Sequence, residues 1–533
     1  MSSDSWSTEV LVVGGSLGGV AAALAACEGG ARVVLTERHP WLGGQLTSQA
    51  VPPDEHPWIE THGSTAAYRR LRRAIRDAYA RSYPLTAESL GRSEFNPGNG
   101  WVSALCAEPR VAAGVIEELL APWVASGRLT VLRESWPVAA DVDGDLVRGV
   151  EFESRRGARM RVEAAYVLEA TEIGELLPLA GVEHRTGSES AALTGEPSAQ
   201  AHADPGNVQA VTHVFALELA DGDHTIDRPE DYEHWRTATL PGWPGPLLRW
   251  EYPDPRGGRV VHGRFEPEQS DGASDMETAL IRPELWSYRR VLDRANYEPG
   301  FFTSDVSLVN WPMNDYAEGG LYDSGDDERH ARQARALSAS FLYWLQTEAP
   351  RADGGTGHPG LRLRPDVTGT DDGFAQAPYI RESRRIEAIT TVVEQDLSVA
   401  VRGDHGAVTY ADAVGTGCYR IDLHPTTGGD GYLDVAAHPF QIPLGALLPV
   451  RVRNVIGAGK SIGSTHITNG CYRVHPSEWS IGEAAGALAA HCVTAGVEPH
   501  QVQAAPDRLA TFQQLLDRRG VDRHWRGGER LPV

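Results

Sequence analysis

The first forty residues constrain this chain more than any other segment. Glu9-Val10-Leu11-Val12-Val13 is a short β-branched apolar run of the kind that forms a buried parallel strand. It leads directly into Gly14-Gly15-Ser16-Leu17-Gly18-Gly19. An alanine-rich helical stretch, Val20 to Cys27, follows and stops at Gly29-Gly30, a glycine C-cap. A second apolar strand, Arg32-Val33-Val34-Leu35, ends at Glu37 and the adjacent Arg38. Strand, glycine-rich turn, helix, strand and acid in this order make a dinucleotide-binding βαβ unit. Gly14 permits the tight turn, and Gly19 lets helix and strand pack closely. The helix N-terminus offers unpaired N–H groups and a partial positive charge to a pyrophosphate. Glu37 lies 18 residues beyond Gly19, where the fold places a carboxylate on the ribose hydroxyls. Ser16 stands where a glycine is usual and is expected to approach a phosphate through its hydroxyl.

Trp41-Leu42-Gly43-Gly44-Gln45-Leu46-Thr47-Ser48 follows the second strand at once. It resembles the segment of FAD-dependent oxidoreductases, of the glutathione-reductase-like flavoprotein superfamily, that runs past the ribose towards the flavin. The resemblance implies FAD rather than NAD, with Gly43, Gly44 and Gln45 at the cofactor; the FAD is expected to be bound non-covalently, attachment through a histidine or cysteine being the alternative. From Leu129 the pattern becomes hairpins. Leu129–Leu132, Pro137–Val142, Leu146–Phe152 and Met160–Val162 are separated by turns such as Asp143-Gly144 and Arg156-Gly157, and they read as a β-meander. The apolar strand Ala165–Thr171 follows. In the resembling family a meander crosses between the halves of a doubly wound sheet, and the next strand ends in a loop near FAD. That implies contacts from Pro137, Ala170, Thr171 and Glu172, the last standing where glycine is usual.

The strongest match lies between Pro443 and Ala490. A short strand enters the small-residue turn Gly457-Ala458-Gly459-Lys460-Ser461. Then come Thr465-His466-Ile467-Thr468-Asn469-Gly470-Cys471-Tyr472-Arg473-Val474-His475-Pro476 and a helix with closely spaced small residues, Ile481-Gly482-Glu483-Ala484-Ala485-Gly486. This is similar to the closing FAD-binding segment of oxidoreductases related to the fumarate-reductase and succinate-dehydrogenase flavoproteins. Pro378–Arg385 and Asn310–Tyr316 add to the likeness. It implies that Gly459 and Lys460 pass beside the flavin, with Asn469 close by. It also implies that a helix starting near Pro476 points its N-terminus at the flavin's pyrimidine oxygen.

The expected architecture is therefore α/β: a Rossmann-like FAD-binding domain with a β-meander crossover, plus an inserted α+β substrate (cap) domain. The boundaries read as 1–190 and 382–500 for the FAD domain, 191–381 for the cap, and 501–533 for a C-terminal helical tail. Residues 191–381 lose the βαβ rhythm and hold six of the fourteen tryptophans: Trp235, Trp243, Trp250, Trp286, Trp311 and Trp344. Such residues pack a core more often than they contact a ligand. Asp326 to Thr347 reads as one amphipathic helix, and Asp353–Gly357 as an exposed tip.

A formal net charge of −23 argues against nucleic acid as a partner. No run is long and apolar enough to span a bilayer, the N-terminus lacks a signal-peptide pattern, and the five cysteines are scattered without a C-x-x-C pair. These features predict a cytoplasmic protein with free thiols and no metal; Asp54, His56 and His62 lack metal-ligand spacing. The oligomeric state is not legible.

No second glycine-rich βαβ unit and no iron–sulfur spacing is present, so electrons are expected to leave through a diffusible acceptor such as dioxygen. The expected reaction is oxidation of a small polar or natural-product-like substrate. A flavin monooxygenase using external NAD(P)H and a reductase of an activated double bond are the alternatives. His466 and His475 are the leading base candidates, although either alone is more often a structural histidine. Tyr472 and Arg473 are candidates for clamping a polar or carboxylate group. Lys460 is the single lysine among 49 basic residues, which marks it as a candidate for holding negative charge near the flavin. Asp422 and His424 alternate onto one strand face, as either a base–orienter pair or a structural hydrogen bond.

Overall fold

A computed structural model of the chain describes residues 4–257, 259–267 and 284–531. β1 (Asp4–Val13) runs parallel to β2 (Val33–Thr36), and α1 (Leu17–Glu28) crosses between them. Val10 and Val12 face one apolar core while Leu11 and Val13 face another, so this strand is continuously apolar because both faces of its sheet are covered. After α2 (Pro109–Ala125), β3 (Leu129–Leu132) adds to the far side of β2, again parallel. β4 (Ser135–Asp143) and β5 (Leu146–Ser154) form a hairpin that leads into β6 (Arg159–Glu169). β6 lies parallel to β1, and Val455–Gly457, from the C-terminal part of the chain, lies parallel to the end of β6. The resulting seven-stranded sheet is a mixed α/β arrangement in which an antiparallel flap hangs from a parallel body.

Two details differ from the sequence expectation. Leu129–Leu132 is no part of the meander; it follows a helix and completes another parallel crossover, so the hairpin rhythm begins only at Ser135. The segments Met160–Val162 and Ala165–Thr171 belong largely to one strand, β6. Its first half pairs with β5 and its end with Val455–Gly457. Asn454 fills the gap where β6 changes partners. Its side-chain amide donates to the Val147 carbonyl at 2.8 Å and the Ala165 carbonyl at 3.1 Å, and its oxygen accepts from the Val147 N–H at 2.9 Å. An unpaired backbone there would be buried at a cost comparable to a lost hydrogen bond.

A second sheet is antiparallel and four-stranded, built from β7 (Phe215–Leu219), β8 (Arg290–Leu292), β9 (Val306–Val309) and β10 (Leu361–Leu363). The strand period of two divides its side chains. Phe215 and Leu217 enter a core of their own with Trp235, Trp286 and Trp344, while Ala216, Val306 and Leu308 pack onto the main body. α3 (Asp327–Thr347) covers the separate core, as the helical periodicity predicts. All six tryptophans of this region belong to or border that core, and Trp311 alone among them also reaches a cavity described below. The tail is helical only as far as Arg519, then returns to the body, where Trp525 Nε1 donates to the Phe440 carbonyl at 3.0 Å. Among the described residues, no helix is long and apolar enough to cross a membrane.

Two helices bring the C-terminal segment back to the opening turn. α4 (His466–Tyr472) is capped by Thr465, and α5 (His475–Ala495) runs along α1. Leu17 to Cys27 of α1 and α5 as far as Ala490 are buried; α1 is apolar or small all round, and α5 adds the buried polar residues His475, Glu478 and Glu483. They meet backbone to backbone. A Cβ at Gly482 would lie 2.0 Å from the Gly18 carbonyl oxygen, and one at Gly486 would lie 2.0 Å from that of Ala22. Gly482→Ala is therefore expected to destabilise the protein by about 1–3 kcal/mol through overpacking. Gly114→Ala, on an exposed face of α2 with open space around it, is expected to be neutral or stabilising by up to about 1 kcal/mol. Denaturant unfolding of both variants checks the contrast; equal midpoints would contradict the tight crossing.

Candidate active site

A cavity of about 390 Å³ opens beside the glycine-rich turn. Gly14, Ser16, Glu37 and Arg38 from the βαβ unit line it, as do Pro137, Ala170, Thr171 and Glu172 from the meander and the loop after β6. Gly14 takes φ +99°, and a Cβ there would sit 2.4 Å from the Ala170 carbonyl oxygen, so the tight turn and the close approach of the neighbouring strand both require glycine. The remaining glycines of the turn serve packing. A Cβ at Gly19 would strike the Gly14 carbonyl oxygen, one at Gly18 that of Ala458, and one at Gly15 the Leu42 side chain. Leu17 is the buried first residue of α1. Ser16 caps that helix, its hydroxyl accepting the Gly19 N–H at 3.1 Å, which explains a serine at this place.

Glu37 holds the turn rather than standing free. Its two carboxyl oxygens accept the Gly15 N–H at 2.9 Å and the His39 N–H at 2.8 Å. Burial pushes its pKa up to about 8. Arg38 pairs with Glu175 and stacks on Trp136. Gly43 and Gly44 both have positive φ, and the Gly43 N–H donates to the Gly15 carbonyl at 2.7 Å. Gln45 reaches the C-terminal segment, its amide donating to the Arg473 carbonyl at 3.0 Å and to Glu478.

Lys460 is buried and pairs with Glu172, with Glu478 Oε2 at 4.0 Å. Burial alone would discharge it, but these two carboxylates outweigh burial and keep the ammonium charged. Gly459 sits beside Ser16 and Ala170. Pro476 and Glu478 both lie in the first turn of α5, and Glu478 accepts the Gly18 N–H at 3.3 Å. Gln45 Oε1, Gln49 Nε2 and Glu172 Oε1 are buried here without partners. Ala50, next to Gln49, holds an uncommon φ of 56° for a non-glycine residue. Orphaned polar atoms of both kinds along the path from the turn to Lys460 fit a ligand with both donors and acceptors, as a flavin nucleotide has.

A second cavity, of about 310 Å³, lies across the extended segment Pro378–Arg381. Pro378 and Ile380 line the first cavity, and Tyr379 and Arg381 line the second. Arg473 lines this second chamber, donating to Tyr379 Oη at 2.7 Å and to the Asp422 carbonyl at 3.1 Å and its Oδ2 at 3.2 Å. His424 and Asp422 also line it. His424 Nδ1 is 2.6 Å from Asp315 Oδ2, and Nε2 is 3.6 Å from Asp422 Oδ2, beyond hydrogen-bond reach. Burial opposes ionisation of Asp315 and Asp422. Arg381 and His424 nevertheless hold Asp315 down at about 2, and His424 and Arg473 hold Asp422 below the usual carboxylate range. An ionised carboxylate at Nδ1 fixes the tautomer and leaves Nε2 as an acceptor.

The other sequence candidates lie elsewhere. Both ring nitrogens of His475 are taken by backbone: Nδ1 accepts the Asp54 N–H at 3.2 Å, and Nε2 then donates to the Val51 carbonyl at 3.2 Å. Burial, then Lys460, holds its pKa well below the ordinary value. His466 is buried against Glu382, 2.9 Å from Nδ1, and borders a separate smaller cavity. Tyr472 packs on Phe440, donates to the Gln441 carbonyl at 2.8 Å and lines neither of these two cavities. Asn469 is a brace, donating to the Arg381 carbonyl at 2.8 Å. His56 and His62 pack around Trp525, apart from Asp54 in the chamber wall. Among the described residues no group of three or more His, Cys, Asp or Glu is disposed to hold a metal ion. Sequence reasoning missed Asp315, Tyr379 and Arg289 in or beside the chamber; the first two lay in noticed motifs, and Arg289 carried no signal at all.

Glu37 yields a pH expectation. Its carboxyl titrates near 4.5 when free and at about 8 in the fold. Between those values the folded protein keeps a proton that the unfolded chain has lost, so its contribution to stability falls as pH rises. In FAD-free protein, Glu37→Gln is expected to flatten the decline of the unfolding midpoint across this window. An unchanged slope would contradict the assignment.

No curated protein matches this sequence. Among solved structures, a geranylgeranyl bacteriochlorophyll reductase-like protein from Thermoplasma acidophilum aligns over 97% of this chain and 85% of its own, at 10% identity and TM-score 0.33. The myxobacterial chondrochloren halogenase aligns over 42% and 46%, at 16% identity and TM-score 0.22. Anhydrotetracycline hydroxylase from Streptomyces rimosus aligns over 46% and 40%, at 19% identity and TM-score 0.21. The chain thus spans less than half the length of the halogenase and the hydroxylase. A family model described as "FAD dependent oxidoreductase" matches residues 9–516, nearly the whole chain. This protein belongs to the FAD-dependent oxidoreductase family, and FAD is its cofactor.

Proposed function

We propose that the protein oxidises a small polar substrate held in the chamber lined by Tyr379, Asp422, His424 and Arg473, with FAD bound non-covalently in the cradle across the Pro378–Arg381 segment. The observation that carries this reading is the alternation of that segment: one pair of side chains borders the nucleotide cavity and the other pair borders a chamber with a histidine–carboxylate pair. Residues 191–381 act in it as the substrate cap, and 382–500 as the return of the FAD domain. Kinship with the glutathione-reductase-like and fumarate-reductase flavoproteins belongs to the same reading.

When bound, FAD supplies a two-electron acceptor. The chain's own residues do the rest. Lys460, kept charged between Glu172 and Glu478, offsets negative charge at the cofactor. Arg473 and Tyr379, fixed to each other, orient polar groups of the substrate. His424 takes the hydroxyl or amine proton at Nε2, and Asp315 behind Nδ1 stabilises the resulting imidazolium. Dioxygen or another diffusible acceptor removes the electrons.

Anaerobic mixing tests the reaction class. Substrate alone is expected to bleach the visible flavin absorbance, whereas bleaching by NAD(P)H only would mark a monooxygenase or a reductase. His424→Gln is expected to lower turnover by about 10²–10⁴-fold while leaving FAD binding intact. Undiminished turnover would remove His424 from this role.

A further inference from the structure

We infer that the chamber takes a substrate bearing a carboxylate, and that Arg289 is the residue that recognises it. The inference rests on placing the substrate in this chamber, as proposed above.

Arg289 precedes β8 and is 9% exposed. Its Nε and Nη1 are buried with no acceptor, and the nearest carboxylate oxygen, Asp54 Oδ1, is 3.9 Å from Nη2. That distance provides charge but no hydrogen bond. The Tyr288 ring lies 5.1 Å from the guanidinium carbon, which orients the plane without accepting its N–H groups in the usual way. The other buried arginines of the chamber are hydrogen-bonded. Arg381 donates to Asp315 at 3.0 Å and to the Ala210 carbonyl at 2.8 Å, and Arg473 is held by Tyr379 and Asp422. Arg420 pairs with Asp434.

The unpartnered buried atoms on the chamber's walls share one chemical character. Besides Arg289 they are Asn310 Nδ2, Trp311 Nε1, Arg381 Nε and Arg473 Nε, and every one is an N–H donor. The cofactor cradle differs, because its orphaned atoms include acceptors at Gln45 and Glu172. The fully buried unmet atoms of this chamber are all donors, which is complementary to a ligand group that only accepts. Charge narrows the choice. Five arginines against four aspartates line this chamber, in a chain whose formal net charge is −23. A carboxylate takes two parallel N–H groups of a guanidinium at once, and it carries a single negative charge. A dianionic phosphate would meet Asp54 and Asp422 at close quarters.

The test uses FAD-loaded enzyme with benzoate and benzamide as probes, matched in shape and differing in charge and in the presence of N–H groups. Binding is read from the flavin visible spectrum and from the fluorescence of Trp101 and Trp311, which line the chamber. Benzoate is expected to bind at least about ten-fold tighter than benzamide, Arg289→Gln to abolish that preference, and Arg289→Lys to keep part of it. Equal binding of the two probes by the unaltered enzyme, binding of neither, or a full preference in Arg289→Gln overturns the carboxylate site. The unaltered enzyme alone decides the first two outcomes, whether or not the variant folds. Benzoate that discriminates through Arg289 yet fails to compete with the oxidised substrate leaves the anion site standing and contradicts the placement of the substrate.

Discussion

Everything in this molecule depends on two helices touching without side chains between them. α1 opens at the glycine-rich turn beside the first cavity, and α5 lies against α1 along its length. Gly18 against Gly482, and Ala22 against Gly486, bring the two backbones into contact. That contact carries Glu478 to the Gly18 N–H and Lys460 to Glu172, more than four hundred residues and nearly three hundred residues away in sequence, respectively. A larger residue at any of these positions would move the C-terminal wall of the cradle away from the opening turn. Because packed interiors barely relax, such a displacement is felt at the cofactor.

The cradle and the chamber solve different electrostatic problems. In the cradle, carboxylic acids outnumber the single lysine, and burial lets Glu37 stay protonated to about 8. In the chamber, Arg381 pairs with Asp315, Arg473 with Asp422 and Arg420 with Asp434, while buried Arg289 makes no hydrogen bond, and the pairing keeps Asp315 and Asp422 ionised on either side of His424. A thin partition, Pro378–Arg381, separates the two, so the polarity of each is set independently by alternate side chains of one extended segment.

The sequence revealed what local rules govern. Val10–Val13, Gly14 and the small residues of Ile481–Gly486 each obey a rule of strand burial, turn geometry or close helix packing, and all fall where those rules place them. Leu129–Leu132 was harder, because a four-residue apolar strand looks alike whether its partner is parallel or antiparallel; only the preceding helix tells. Histidines gave least. His475 and His424 are indistinguishable by neighbours in sequence, yet one has both nitrogens bound to backbone and the other keeps Nε2 beyond hydrogen-bond reach of any carboxylate. The difference lies in contacts from Val51, Asp54 and Asp315, which no spacing rule reports. Arg289 is one arginine among many until the absence of a hydrogen-bonded partner sets it apart.

The most direct test of the account is a crystal structure of the FAD complex. The isoalloxazine ring is expected beside Gln49 and Lys460 with one face turned to the chamber of His424, and the adenosine is expected along Glu37 and Pro137. A ring bound away from the Pro378–Arg381 partition, with no open path to that chamber, would contradict the arrangement on which the proposed chemistry stands.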